Sequence, residues 1–510
     1  MATSTGQINR WLILVSLIVG NFMATLDLTA VTIALPHIIT SLGASVQDAQ
    51  WVATGAFLTS SVTMPTIGWL GQRLGFRLLY VGALGVFITG SALCALSWNL
   101  ESLIVSRVFQ SVGTGLIQPS GMAIITRTFP PAERGAALGL WSIGNMVGAT
   151  LGPTAGGMLT DVLGWRSIFM VNVPVGLALI LFALVTLPGD AERAGRRGFD
   201  WPGYLGLAVF IVGLLVTVEN GDEQGWGSTP ILLGAIVTAS ALAWFIAVEW
   251  DAPNPVIPLR LFANRNFVLA LVLRVFMALA LFGPVFLVPL FLQRVQGRSA
   301  TESGILTMPS AITMMFTAPL SGYLTDRYGG RLPTLAGFIL SAYAMWLFHG
   351  VDPLFTAWQM VYVQILRGTG VSFISTPVNA IGLNAVRAED AGYASGLLNL
   401  FQRYAGSFSV AVLSMLLHRE TTWQREVMGG AALVADAPSR PDVRAALALG
   451  YTRAEAADAV GAVNRFLLNR ATSAIAYQNL FFMCAVVALA GALPVLLLAP
   501  TRRGMRPARA

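Results

Sequence analysis

The chain has 510 residues, 55% of them hydrophobic and only 11% charged, with a formal net charge of +7 and a mean hydropathy of +0.70. A soluble chain of this size needs a charged coat that this composition cannot supply, and continuous apolar runs near 20 residues recur along it, each long enough to cross a hydrocarbon layer of about 30 Å. All 31 basic residues are arginine and lie scattered over short loops, so no nucleic-acid partner is expected, and runs that do not alternate exclude a membrane barrel.

Charged, Gly-rich and Pro-rich punctuation divides the chain into fourteen candidate spans. They lie at 11–35, 51–70, 78–97, 102–125, 136–160, 167–187, 203–219, 229–249, 268–292, 303–323, 332–349, 357–382, 393–417 and 476–499. The first run lacks a small-residue cleavage site and reads as a retained helix. It carries Asp27 near its middle. A carboxylate there is expensive in lipid, so it must face a cavity, hold a partner or accept a proton. We read Asp27 as a proton-coupling site. The plainer alternative is a static ion pair with Arg107 of the fourth span, and the two overlap if protonation releases the partner.

After the second span, residues 68–77 hold Gly68, Arg73, Gly75 and Arg77, a tight turn whose arginines can grip carbonyls or acids at neighbouring helix ends. The fifth span places Gly144, Gly148, Gly152 and Gly156 at a repeat of four, putting four glycines on one helix face for close backbone approach. Pro153 and Gly157 add a bend. Plain helix packing is one reading; a hinge or sliding surface between two halves is the functional one.

The tenth span is followed at 322–331 by a second copy of the loop motif, with Asp326 and Arg327, and Arg367 with Gly368 and Gly370 echoes 107–113. These echoes fall at matching places in two six-helix halves, 1–187 and 267–500, around two additional helices at 188–266 and before a basic tail at 501–510. Internal duplication of this kind builds alternating-access carriers, with the substrate site between the halves. Arg274, Arg367 and Arg403 also lie inside apolar spans. Arg274, near a helix start, is expected to snorkel or bond backbone carbonyls, and Arg403 ranks after Arg107 as a functional candidate.

An even number of spans puts both termini on one side. Thirteen arginines plus four in the tail then fall in segments assigned to the cytoplasm, against Arg166, Arg294 and Arg298 in the short outer loops, which places both termini inside. The outer segment 418–475 contains helical patterns at 441–449 and 452–466, the second opened by a Thr452–Glu455 capping box. It reads as a surface-lying helical hairpin or as a docking site for an external partner. The two cysteines and three histidines show no metal spacing, and no nucleophile–base cluster or phosphate loop points to an enzyme.

Five stretches, 26–36, 68–77, 107–113, 148–157 and 164–176, resemble the major facilitator superfamily and, more narrowly, its fourteen-span drug:proton antiporters of EmrB/QacA type. The stretches 254–267 and 403–407 and the long outer segment bring it nearest the EmrB-type pumps of the bacterial inner membrane, and the resemblance covers nearly the whole chain. It implies that Asp27 is the proton-linked acid and Arg107 the membrane arginine. It implies no cofactor beyond the proton motive force, and work with a periplasmic adaptor and an outer-membrane channel. Gln72 departs from the family pattern, which usually has an acid there, while the second copy keeps Asp326.

The function expected is proton-driven export of amphipathic or hydrophobic drugs and toxic compounds across the bacterial inner membrane, through a midplane cavity lined by helices of both halves. A dedicated exporter of one metabolite, fatty acid or siderophore is the alternative. A non-transporting sensor or scaffold is a third, disfavoured by the intact acid and glycines.

Overall fold

The computed structural model describes residues 9–189, 198–351, 355–433 and 453–498, and these are almost entirely helical. In lipid every backbone polar group must be satisfied within the chain, and the helix achieves this locally. The helices begin at α1 (Arg10–Leu42), α2 (Val46–Thr63), α3 (Ile67–Leu74), α4 (Phe76–Ala95) and α5 (Leu100–Thr128). Next come α6 (Arg134–Leu163), α7 (Arg166–Met170), α8 (Asn172–Thr186), α9 (Trp201–Gln224) and α10 (Thr229–Asp251). The remainder are α11 (Arg265–Arg294), α12 (Ala300–Tyr328), α13 (Arg331–His349), α14 (Ala357–Asn384), α15 (Ala391–Leu433), α16 (Arg453–Ala490) and α17 (Ala492–Leu496).

Local sequence sets many of the boundaries. Asn99 and Ser102 form a capping box at the start of α5, as do Ser299 and Glu302 for α12, and Thr356 and Gln359 for α14. Gly43, at φ 61°, ends α1 in a left-handed conformation that a side chain would resist. Nine helical segments among the described residues are long and apolar enough to cross a membrane. The long helical runs outside that set, α2–α3, α5, α6, α12 and α14, carry the polar and glycine-rich faces that pack at the centre.

Helix α1 lies along α6, and α5 packs against α2 and α4, forming one bundle with α8. The second bundle pairs α11 with α15, α12 with α14, and α13 with α14 and α16. The bundles meet chiefly where α12 runs against α6. Helices α9 and α10 form a hairpin whose α9 touches α2 of one bundle and α15 of the other, with Tyr404 Oη donating to Ile211 O at 3.1 Å.

We call the end at which α1 begins the base, and the opposite end the rim. At the base one apolar core runs through both bundles, joining Ile67, Phe76 and Ile125 to Phe267, Ile381 and Leu397. At the rim there are two separate cores: Val31, Leu103 and Phe169 in the first bundle, and Phe291, Phe348 and Phe481 in the second. Helices α5 and α14 follow the same gradient, with nearly continuous burial toward the base and alternating exposure toward the rim. The bundles are therefore sealed together at the base and parted at the rim.

The four-residue glycine repeat does form one face, but that face packs on α1 within its own bundle and not between bundles. A side chain at Gly148 would meet Phe22 O at 2.7 Å, and one at Gly156 would meet Ala30 Cα at 2.8 Å; Gly144 and Gly152 sit against Ile18 and Thr29. The face of α6 that meets the other bundle carries Gly139, against Ala318 O of α12 at 2.5 Å, and Gly135. A four-residue period fixes a face without naming its partner. Helix α6 runs unbroken through Pro153 and Gly157, and a side chain at Gly157 would reach no atom nearer than Ile33 Cγ2 at 3.9 Å.

The outer segment also differs from expectation. Helix α15 continues to Leu433, and the helix from Arg453 runs unbroken to Ala490, so the pattern at 452–466 is the first part of the last long helix. The pattern at 441–449 and the capping residue Thr452 lie outside the described residues.

Gly144→Ala should lower the melting temperature of the detergent-purified chain, because the added methyl drives into the α1 backbone and overpacking costs about 1–3 kcal/mol. Gly85→Ala, where a methyl meets nothing within 4 Å, should leave it unchanged or raise it slightly. Equal effects in the two variants would contradict this account of α6.

Candidate functional site

Asp27 lies on α1, seventeen residues from the base end of the helix, a rise of about 25 Å, on the side that faces α5 and α8. It is 1% exposed. Its Oδ2 accepts from Arg107 Nη1 at 2.7 Å, and its Oδ1 accepts from Asn172 Nδ2 at 2.9 Å and Gln110 Nε2 at 3.1 Å. Gln110 turns its Oε1 back onto Arg107 Nη1 at 2.6 Å and donates to Ser91 Oγ at 2.7 Å. Four helices, α1, α4, α5 and α8, thus contribute five buried polar side chains to one closed network. The Phe169 ring, 5.4 Å from Arg107 Cζ, covers the guanidinium.

The network explains how a carboxylate and a guanidinium persist here. Each buried charge needs an opposite charge and a full set of hydrogen bonds, or the cost of leaving water exceeds their attraction. Both oxygens of Asp27 are satisfied; Arg107 Nε is not. Proton transfer to Asp27 would cancel one charge and leave Arg107 in need of another acceptor, so the pair can exist in two charge states with different geometric demands. The sequence singles out Asp27 and Arg107, and the structure brings them together. It also adds Ser91, Gln110 and Asn172. Gln110 stands one helical turn from Arg107, and Asn172 lies within 164–176, which is the only signal the sequence offers for either.

Two residues before Asp27, Thr25 Oγ1 donates to Asn145 Oδ1 at 2.8 Å and accepts from Gln118 Nε2 at 3.1 Å.

The second bundle repeats the first with an exchange. Gly113 packs against Ala83 O and Phe87 N of α4, and Gly370 packs in the same way against Gly337 O and Ser341 N of α13. In that register Arg367 stands where Gln110 does, and Gln364 where Arg107 does, so the echo of Arg107 in Arg367 is displaced by one turn. Arg367 Nε donates to Gln364 Oε1 at 2.8 Å and Nη2 to Ser310 Oγ at 2.5 Å, with no carboxylate among its partners.

Arg274 is 2% exposed and does not snorkel; its Nη1 donates to Gln402 Oε1 of α15 at 2.5 Å. Its place nine residues inside α11 keeps the head group within the bundle. Arg403 crosses the seam, Nη1 donating to Ser60 Oγ of α2 at 2.6 Å with Cζ 5.4 Å from the Phe57 ring.

The loop motifs meet the opposite bundle at the base. Asp326 receives Gly135 N and Ala136 N at 2.8 Å each, capping the start of α6 with a negative charge where the helix dipole favours one. Its pseudo-symmetric counterpart Gln72 has no charge to offer and donates to Glu389 O at 3.4 Å. There Gly68 lets the Tyr393 ring of α15 lie against the α3 backbone instead. Arg77 donates to Leu184 O, Arg73 stacks 5.0 Å from Trp69, and Arg327 donates to Tyr323 Oη at 2.9 Å.

Two outcomes follow. Arg107→Ala strands the Asp27 charge and should cost about 3–5 kcal/mol of stability, most of it recovered when Asp27→Asn is added; a double variant as unstable as the single one would contradict the pairing. Asp326 lies beyond the span at 303–323, and its burial pushes the carboxyl from 3.8 up to about 6. The folded chain then holds this proton more tightly than the unfolded one. The group's contribution to stability is fully present below the ordinary value and is lost as pH rises through the raised one. Asp326→Asn should therefore flatten the fall in melting temperature across that window.

Comparison with known proteins adds the family. The Major Facilitator Superfamily profile matches residues 17–410. The chain is 33% identical to the tetracenomycin C resistance and export protein of Streptomyces glaucescens, over 80% of this chain and 76% of that protein. It is 30% identical to the multidrug export protein EmrB of Escherichia coli (strain K12), over 87% of each. It is 31% identical to the multidrug resistance protein Stp of Mycobacterium tuberculosis, over 78% and 74%. The structure resembles that of the human organic anion transporter MFSD10 with a TM-score of 0.58, covering 94% of this chain and 100% of that one; at 15% identity this likeness concerns the fold alone. The chain is thus a multi-pass membrane transporter, not an enzyme, and it belongs to the major facilitator superfamily, among the relatives of the EmrB-type multidrug exporters.

Proposed function

We propose that this protein is a proton-coupled antiporter that exports amphipathic or hydrophobic compounds across a bacterial inner membrane. The observation that carries the reading is Asp27: a carboxylate 1% exposed, bonded to Arg107 and carried by α1, the helix that packs along α6, which in turn meets the second bundle. Relatives named as export proteins, at 33% and 30% identity, support the direction, and names that speak of multidrug or tetracenomycin C resistance support the cargo type. Fourteen spans, with six in each half and α9–α10 inserted between them, fit both the arginine distribution and the helices described.

With both termini in the cytoplasm, the sealed base faces inward and the parted rim faces outward. Proton uptake at Asp27 from outside discharges the pair, loosens Arg107 and favours the inward-facing return. Proton release inside restores the pair, and cargo leaves on the outer side. The glycines of α6 hold α1 close, so a change at Asp27 is passed to α6 and onward to α12. Asp326 fastens the base in the outward-facing state, and no cofactor beyond the proton motive force takes part. Helices α15 and α16 are the longest among the described residues, with 43 and 38 residues, and we assign their rim ends to contact with a periplasmic adaptor feeding an outer-membrane channel, as the sequence resemblance to the EmrB-type pumps implies.

Everted vesicles test the coupling. Asp27→Asn should abolish dye movement driven by an imposed proton gradient while the protein still reaches the membrane. Undiminished gradient-driven transport by that variant would remove Asp27 from the mechanism.

A further inference from the structure

Four arginines sit within the middle of the bundles, and among the described residues one carboxylate does. Among the described residues five acid–base contacts are formed, one of them (His37–Asp161) charged only when the histidine is protonated, and only Asp27–Arg107 lies in the interior; the others, Arg10–Glu133, His37–Asp161, Arg260–Asp390 and Arg387–Glu389, lie at helix ends or in loops. Arg274, Arg367 and Arg403 are bonded to neutral partners alone: Gln402 and Met277, Gln364 and Ser310, and Ser60. Arg274 Nε and Arg367 Nη1 are buried with no acceptor at all. Amide and hydroxyl oxygens satisfy single N–H groups but do not cancel a charge, and a buried cation without a counter-charge is strongly disfavoured.

One of these cations crosses the seam: Arg403 of α15 reaches Ser60 of α2. Arg274 of α11 lies behind it within the second bundle, bonded to Gln402, the residue before Arg403. Arg403 is only half-buried and lies against the face of Phe57. Where α6 meets the second bundle the contact is apolar, with Met146, Met314 and Val371 packed together and Leu281 beside them. A fork of N–H donors beside aromatic and aliphatic surface is the arrangement that holds a carboxylate or phosphate attached to an apolar body. Asp27 does not oppose such a ligand, because its own cluster is sealed inside the first bundle with its charge already paired.

Resting on the export reading, we propose that the seam selects amphipathic organic anions, an apolar body bearing one carboxylate, sulfonate or phosphate, and that Arg403 is the residue that reads the charge. Arg274 and Arg367 keep their bonds within the second bundle and add to the positive field.

Three compounds with one apolar body test this: pyrenebutyrate, pyrenebutanol and pyrenebutylamine, presented to the full chain in proteoliposomes under a proton gradient. The butyrate should be exported at least tenfold more efficiently, as kcat/KM, than the amine. Arg403→Gln should lower the butyrate-to-butanol ratio at least tenfold, and Arg403→Lys should keep most of it. Export of the amine as well as the butyrate would overturn the proposal. So would an Arg403→Gln variant that slows all three compounds equally, which marks a structural role. An effect of the variant seen only in liposomes of anionic lipid would assign Arg403 to a lipid headgroup and overturn it too. If none of the three moves while another dye is exported on the gradient, this proposal fails and the export reading stands. If no compound moves at all, both fail.

Discussion

A charge placed in hydrocarbon is costly unless another charge answers it, and in this protein Asp27 and Arg107 answer each other. Their 2.7 Å contact draws in Gln110, Asn172 and Ser91 and so fixes how α1, α4, α5 and α8 meet. The glycine face of α6 then becomes necessary. Only residues without side chains let α6 approach the stretch of α1 that holds the acid, since even a methyl group at Gly148 would press on Phe22 O. Charge burial and close helix packing are thus one arrangement: the ion pair holds α1 within the first bundle, and the glycines hold α6 against α1.

The contact between bundles is built differently at its two ends. The base has a shared apolar core, the Asp326 cap on α6 and the packing of Tyr393 on Gly68. The rim has separate cores and little to join them. Duplication gives the base two equivalent latches, yet only the one at Asp326 is charged. Gln72 makes the other a packing contact that relies on Gly68 and Gly392 lying close together. An uncharged latch gains nothing from the α15 dipole, so the two sides of the base differ in how they respond to pH.

Much of this was legible in the sequence. Arginines and one acid inside apolar runs announce themselves by their cost, and the four-residue spacing of glycines announces a face. What the sequence does not carry is the partner of each face. The glycine repeat looked suited to a surface between halves and packs instead on α1. Arg274 looked close enough to a helix start to snorkel, whereas Gln402, far away in the chain, holds it inside. Gln110, Ser91 and Asn172 were not singled out because neutral polar residues are common in long helices, and only tertiary packing selects the ones that answer a charge. The exchange of arginine and glutamine between α5 and α14 became visible only when Gly113 and Gly370 were seen to rest on matching backbone positions.

The central claim is that the charge on Asp27 decides which end of the bundle is closed. Spin labels at Met158 on α6 and Ile305 on α12, both exposed near the rim, report that state directly as a distance distribution in nanodiscs. At alkaline pH the distribution should be long. Asp27→Asn, which mimics the protonated acid, should shift it toward shorter distances at every pH. A distribution in Asp27→Asn identical to that of the unaltered chain at both acidic and alkaline pH would contradict the account.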